Sequence, residues 1–425
     1  MRIYRTRESF EVGVKTAGGP HPQQTGFLPR ALVLASLALF GVAISARADE
    51  GDGFQVQTKV NMTHDDNLFL LPDPSVIPPG APHTGSTWME TETADLSFDR
   101  IYGVQAVHAD VSANHYSFNS LHYLDFNAVN YNAQWQWQLG TRLSGTISAD
   151  REKTLQSYDN FHDYSTPNLN IHTGETFTFD WDAAGPWHVV GGVIHAKISS
   201  PSQFTQVGTF SQTDFQWGAR YLSAAGNSVT FQVRNSIGTF SRDLDVADVL
   251  DNGYRQREAE VLSHWNVGAW TAVDTRIGYV DRSYDHFGQR DYQGWVGQVA
   301  LNWQTSARTS LNATASRNVV AFQAGDTSYY WLEQLSVGPT WNVTSKVKLS
   351  ATGNVSWRTF DGGLPGSATL EPRSDRVFGA RLELDYQPTR RSSVSVFAAL
   401  SQQNGNPVET AYKDRTFGIT ASYTF

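Results

Sequence analysis

The chain has 425 residues, with 32 Lys and Arg against 41 Asp and Glu, 12% aromatic side chains and no cysteine. A formal charge of −9 argues against nucleic acid as the main partner, and the missing cysteines exclude a disulfide framework and a thiolate metal centre. Charged residues make up only 17%, against roughly 25% in ordinary soluble domains, which points toward a membrane setting.

Residues 31–44 (ALVLASLALFGVAI) form an uncharged run after Arg30, and Ala46 and Ala48 supply the small residues of a signal-peptidase site. The run has the length of a signal h-region and falls short of the roughly 20 residues a spanning helix needs. A secretory signal is therefore expected over 1–48, followed by one domain over 49–425. Without 1–48 the chain keeps 26 basic against 39 acidic residues, a formal charge of −13, which also argues against anionic lipid as its main partner.

Beyond that segment the dominant signal is period-two alternation, the mark of strands with one apolar and one polar face. Eighteen such strands are expected, first at about 54–63, 87–99, 102–117, 125–139, 141–155 and 170–182. Six more follow at about 187–199, 210–223, 228–240, 255–267, 271–282 and 291–304. The last six are at about 308–318, 329–342, 346–358, 376–387, 392–402 and 412–425. The clearest is 347–358: Val347, Leu349, Ala351, Gly353, Val355 and Trp357 share one face, with Lys348, Ser350, Thr352, Asn354, Ser356 and Arg358 on the other. Tight turns at Gly140, 183–186, 224–227, 267–270, 305–308, 342–345 and 387–391 alternate with long connections at 64–86, 156–169, 241–254, 359–375 and 402–411. Short periplasmic turns alternating with long outer loops is the layout of an outer-membrane barrel. The fold expected is an all-β antiparallel transmembrane barrel of about 18 strands, or 16 if two weaker segments are loops.

The final strand places Phe417, Ile419, Ala421, Tyr423 and Phe425 on one face. Bacterial outer-membrane barrels commonly end this way, so Tyr423 and Phe425 are expected to be read by the barrel assembly machinery. Trp137, Trp181, Trp187, Trp217, Trp270, Trp303, Trp341 and Tyr386 lie near the short turns, where an interfacial girdle is expected. A carbohydrate-stacking platform would use the same residue types.

No catalytic constellation stands out. GxSxG, HExxH and the Walker loop are all missing, and the twelve histidines are scattered. No enzyme activity, cofactor or metal is expected. Lumen-facing charges are expected at Asp110, Asp214, Arg220, Arg234, Asp274, Arg276, Lys348, Arg381, Glu383 and Asp385, more often paired across the wall than touching a substrate. Asp180, Glu258 and Glu260 share that parity.

After the first strand comes Asp65-Asp66-Asn67-Leu68-Phe69-Leu70-Leu71-Pro72-Asp73, leading into a Pro-rich outer loop within about 64–86. Its carboxylates do not have calcium-loop spacing, and Asp and Asn at a strand end favour a turn. The stretch resembles the EpsL family, outer-membrane barrels associated with exosortase-linked exopolysaccharide gene clusters and related to a broader β-barrel porin group. Asp65, Asp66, Asn67, Leu68, Phe69, Leu71, Pro72 and Asp73 carry the resemblance, and Leu70 stands where the family has Arg. The resemblance implies a polymer conduit in the bacterial outer membrane, with exopolysaccharide, outer-membrane lipid and periplasmic and inner-membrane polysaccharide-export proteins as partners. The alternative is a general or nutrient-uptake porin.

Overall fold

The computed structural model describes residues 53–425 apart from 160–162, 202–208, 247–248, 325–326, 363–372 and 407–409, so the expected signal segment with Ala46 and Ala48 lies outside the described residues. Its first strands are β1 Phe54–Asp65, β2 Thr87–Tyr102, β3 Gln105–Phe118, β4 Phe126–Leu139, β5 Leu143–Leu155 and β6 Leu169–Ala184. Next come β7 Trp187–Ser199, β8 Phe210–Leu222, β9 Ser228–Phe240, β10 Gly253–Asn266, β11 Thr271–Tyr284 and β12 Tyr292–Trp303. The wall is completed by β13 Thr309–Ala324, β14 Thr327–Asn342, β15 Val347–Asp361, β16 Ser374–Tyr386, β17 Ser392–Asn406 and β18 Tyr412–Thr424.

Each strand pairs antiparallel with its sequence neighbours, and β1 closes the circle on β18 from Gln57↔Thr424 to Asp65↔Thr416. Closure removes the sheet edges, and between lipid chains it gives backbone groups the partners that water would otherwise supply. No helix of the described residues is long and apolar enough to cross a membrane; the chain crosses with strands. Alternation decides which face each residue takes. Leu349, Ala351 and Val355 of β15 register with Leu384, Leu382 and Phe378 of β16, all outward. Leu382 is 53% exposed and Trp217 63%, values that suit contact with acyl chains rather than water. Eighteen strands leave a bore wide enough for water.

At the short-turn end the chain reverses through residues such as Gly140 (φ +63°) and Gly268 (φ +76°), in the left-handed region that a Cβ disfavours. Trp181, Trp187, Trp217, Trp270, Trp303, Trp341, Tyr386 and Tyr423 all lie exposed at this end. Trp137 does not: it is only 9% exposed, its ring lying over Gly145 and stacking on Phe177 at 6.0 Å. Strand limits also differ from expectation, most at two places. The apolar run Val319–Phe322 belongs to β13, which continues to Ala324 and registers there with Thr327 of β14, and β17 carries on to Asn406 where a loop was expected.

One seam in the wall is short. β12 and β13 pair only from Gly297↔Arg317 to Trp303↔Leu311. Above this, Tyr292 to Gly294 keep partners on β11, and Asn318 to Ala321 keep partners on β14. Side chains fill the interval: the Trp331 ring lies against Gly294, where a Cβ would have no room, and Tyr292 meets Tyr329 at 4.6 Å. Arg290 staples the top by donating to the Thr327 carbonyl at 2.8 Å.

Candidate functional site: the lumen and its outer mouth

The Asp65–Asp73 stretch builds the mouth. Asp65 Oδ1 accepts from the Asn67 amide (2.8 Å), an Asx turn ending β1, and Asp66 Oδ1 accepts from the Arg415 amide of β18 (2.7 Å). Asn67 is fully buried and acts as a knot: its Nδ2 donates to the carbonyls of Leu71 and Lys413, both at 2.8 Å, and its Oδ1 accepts from the Leu71 amide at 3.0 Å. That knot holds Leu70 at φ +52°, a conformation costing a leucine roughly 1–3 kcal/mol. Asp73 takes both the amide (3.0 Å) and the hydroxyl (2.6 Å) of Ser75, and these bonds hold its carboxyl below the usual range. Asp65, Asp66 and Asp414 bring carboxylate oxygens within 4.8 Å of one another.

Phe69 turns into the mouth and is fully buried, edge-on to Tyr158 (5.1 Å) and Tyr164 (5.3 Å) from the β5–β6 connection. Phe118, Leu121, Leu124 and Phe126 complete a small core above the lumen. Burial pushes the phenols of Tyr158 and Tyr164 up, so both stay neutral donors at any physiological pH. Tyr123 Oη, from the β3–β4 connection, donates to the Tyr164 carbonyl at 2.6 Å. From this core Asp159 reaches the far wall and accepts from Arg358 of β15 at 3.2 Å. Three outer connections thus fold over the mouth, leaving a cavity of about 380 Å³ that Tyr116, Tyr412, Asp65 and Asp414 help to line.

Below the mouth the charged residues singled out in the sequence face the lumen, most beside a partner. Arg234 and Arg276 grip Glu258 and Glu260, with Arg234 Nη2 at 2.9 Å and Arg276 Nε at 2.6 Å from Glu260. Arg276 also bonds Glu258, and Arg220 bonds Asp180. Lys348 meets Asp385 at 2.9 Å, Arg381 meets Glu383 at 2.8 Å, Asp274 meets His264 at 2.6 Å, and Asp214 accepts from Gln212 at 2.7 Å. Asp110 meets His108 Nε2 at 2.5 Å. It joins Asp95, Asp150 and Glu152 on the β2–β5 wall, and among the described residues none of these four has a Lys or Arg at ion-pair distance. Asp110 and Asp150 both register with Asn132, so the carboxylates form one stripe. Toward the short-turn end, Gln136, Gln138, Gln216, Gln232, Asp180 and Arg220 line a polar recess of about 640 Å³.

The inward aromatic arc on β8–β12 was not anticipated. Phe210 stacks on Tyr254, with Phe240 tilted against Phe210 and Tyr284 edge-on to Tyr254, and the Arg282 guanidinium lies over Tyr254 at 3.7 Å. Its signal was present, since these residues share parity with Glu258 and Arg276, but rings at strand ends read equally well as girdle. At the final strand, Tyr423 and Phe425 face outward 5.1 Å apart, and the Phe425 amide donates to Val56 (3.0 Å).

A closed antiparallel barrel with an apolar outer band, a polar lumen and loops folded over one mouth is a porin-like barrel of the bacterial outer membrane. Residues 252–424 match the family model described as "Putative beta-barrel porin 2". Curated protein sequences offer no match to this chain. Among solved structures, it is similar to OccK2 (OpdF) of Pseudomonas aeruginosa in complex with glucuronate, at 8% identity and TM-score 0.48, covering 88% of this chain and 98% of that one. OpdK of Pseudomonas aeruginosa is similar at 10% identity and TM-score 0.46, covering 88% and 99%. A BenF-like porin of Pseudomonas fluorescens is similar at 10% identity and TM-score 0.48, covering 88% and 98%.

Proposed function

We propose that the barrel is a passive channel for small hydrophilic solutes, narrowed at its outer mouth by its own loops. The observation that carries this reading is the Arg358–Asp159 tie together with the buried Phe69 core, which lays ordered chain across the opening. A conduit for a continuous polymer needs an unobstructed bore, whereas a solute channel gains size selection from such an obstruction. The porin description of the family model over residues 252–424 supports the same reading. The amide- and hydroxyl-rich wall suits sugars and other polar solutes, which exchange hydrogen bonds with it at little net cost. The test is reconstitution in liposomes, with swelling measured for mono-, di- and hexasaccharides. The smallest should enter and the largest be excluded; no permeation by any of them would end the proposal.

A second reading, export of an exopolysaccharide with periplasmic and inner-membrane export proteins, is favoured by the Asp65–Asp73 resemblance alone. Ser350→Trp with Gln298→Trp adds bulk to the lumen wall. Loss of secreted polymer with normal barrel level would support export, whereas loss of small-solute uptake alone would support the porin.

A further inference from the structure

The outer rim of the wall carries charge on its lipid side as well as within. On most of the circumference the signs are mixed: Glu90 and Glu92 on β2, Arg151 and Lys153 on β5, Glu175 on β6, and Asp281 on β11 all take outward parity. Arg317 is paired with Glu333 at 3.5 Å and Arg255 with Asp285 at 3.8 Å. From β16 to β18 the rim is different. Arg376, Lys413 and Arg415 all point outward and are exposed, and none is within ion-pair distance of a carboxylate among the described residues. The outward residues between them are amides: Asn404 registers with Arg376, and Gln402 with Lys413.

The nearest carboxylates are turned elsewhere. Asp375 and Asp414 face the lumen, Asp66 caps the Arg415 amide, and Asp361 at the tip of β15 lies beside Tyr329 Oη at 3.4 Å. Immediately below the three cations the surface becomes apolar, with Trp357, Phe378, Leu400 and Phe417 all exposed to lipid. Arg376 already leans over the Trp357 ring at 5.7 Å. A cationic and amide-bearing ledge above an aromatic and aliphatic slope is complementary to a molecule with a phosphorylated sugar head and acyl chains.

We propose that the β16–β18 rim is a binding site for a phosphorylated glycolipid of the outer leaflet. Arg376, Lys413 and Arg415 hold the phosphate, Gln402 and Asn404 bond the sugar hydroxyls, and Phe378, Leu400 and Phe417 pack along the acyl chains. Guanidinium groups suit the phosphate because they offer paired donors in a fixed plane. The formal charge of −13 left without residues 1–48 does not oppose a local site of this kind, because at physiological salt the field of distant carboxylates is screened within about 8 Å. The site is independent of what passes through the lumen.

The test uses the whole folded barrel in detergent, with lipid A and enzymatically dephosphorylated lipid A as probes and native mass spectrometry as the readout. The wild type should retain lipid A in preference to the dephosphorylated form, and high salt should release it. The triple variant Arg376→Gln, Lys413→Gln, Arg415→Gln should lose about tenfold or more of that retention. Arg255→Gln with Arg257→Gln on β10 should leave it unchanged. If the triple variant folds poorly by heat-modifiability, the single Lys413→Gln variant gives the same comparison with a smaller loss. Equal retention by wild type and β16–β18 variants, equal loss in the β10 variant, or no preference for the phosphorylated probe would each overturn the proposal.

Discussion

Arg358 and Asp159 stand 199 residues apart in the chain and meet at 3.2 Å inside the barrel. Arg358 belongs to β15 and Asp159 to the loop that leaves β5, eight strand-to-strand steps away by the shorter path round the wall. The contact therefore spans the opening. Both side chains are about four-fifths buried, so the pair is screened less than a surface bridge.

Cutting this tie should open the mouth. Arg358→Gln removes a charge-assisted hydrogen bond worth roughly 1.5–3 kcal/mol and frees the β5–β6 loop to swing outward. Single-channel current in planar bilayers should rise, with larger flicker between levels, and Asp159→Asn should do the same. Phe69→Ala should reinforce the effect, because loss of a buried phenyl costs about 3–5 kcal/mol of local packing. Unchanged conductance in all three variants, with normal folding, would show that the loop does not limit flow.

A second set of loops is tied by one carboxylate. Asp251 is fully buried and joins the β9–β10 connection to the β11–β12 connection, accepting from the amides of His286 (2.7 Å), Phe287 (2.8 Å) and Gly253 (3.0 Å). Burial acts to raise its carboxyl, but the His286 side chain and those amides outweigh it and hold the group below the usual value of 3.8. A depressed folded value means the stabilisation is present above pH 3.8 and is lost as pH falls through the folded value. Hydrogen-exchange protection factors over 249–252 and 285–288 should fall in acid, and Asp251→Asn should give low protection already at neutral pH with little further acid effect. Protection in the wild type that stays flat down to strongly acid pH would contradict this.

Much of the architecture was legible because a barrel writes its two solvents into alternate residues. Val347–Trp357 shows the rule: lipid takes one set, water the other, and the strand limits follow within a few residues. The tight turns were equally readable, since glycines such as Gly140 and Gly268 punctuate them. Legibility failed where the third dimension decides. Asn67 and Phe69 have no period to report, and their partners Lys413 and Tyr158 are brought near only by closure of the circle. Arg358 has ordinary lumen parity, and nothing in spacing could link it to Asp159. The upper part of β13 was missed because Val319-Val320-Ala321-Phe322 is apolar at every position and blurs the alternation, although Gly325-Asp326 beyond it is a two-residue hairpin signature in the sequence.

The facing of β15 can be tested directly. Ala351 registers with Leu382 on the lipid side, while Ser350 registers with Glu383 on the lumen side. Ala351→Arg places a charge in the acyl layer and should cost roughly 2–4 kcal/mol, whereas Ser350→Arg gains water and a nearby carboxylate. Urea unfolding in liposomes should separate the two variants by that margin. Equal stability would remove the facing assignment for this strand.

The last prediction concerns ion selectivity. Cations of the lumen wall are largely matched: Arg276 and Arg234 by Glu258 and Glu260, Lys348 by Asp385, Arg381 by Glu383. The stripe of Asp95, Asp110, Asp150 and Glu152 is not matched by any Lys or Arg at ion-pair distance among the described residues, so the field in the bore is negative on the β2–β5 side. Permeant cations should therefore be concentrated there and anions depleted, an effect that weakens with salt as the Debye length shrinks from about 30 Å at 0.01 M to about 3 Å at 1 M. Reversal potentials across a potassium chloride gradient should show cation preference at low salt. Replacing the four residues by Asn or Gln should bring that preference close to unity while leaving the folded yield intact, because among the described residues none of them holds a Lys or Arg in place, and the amide oxygen of Asp110→Asn can still accept from His108. If selectivity survives the quadruple change, the controlling charges lie elsewhere in the wall, with the Glu258–Glu260 pair the first to examine.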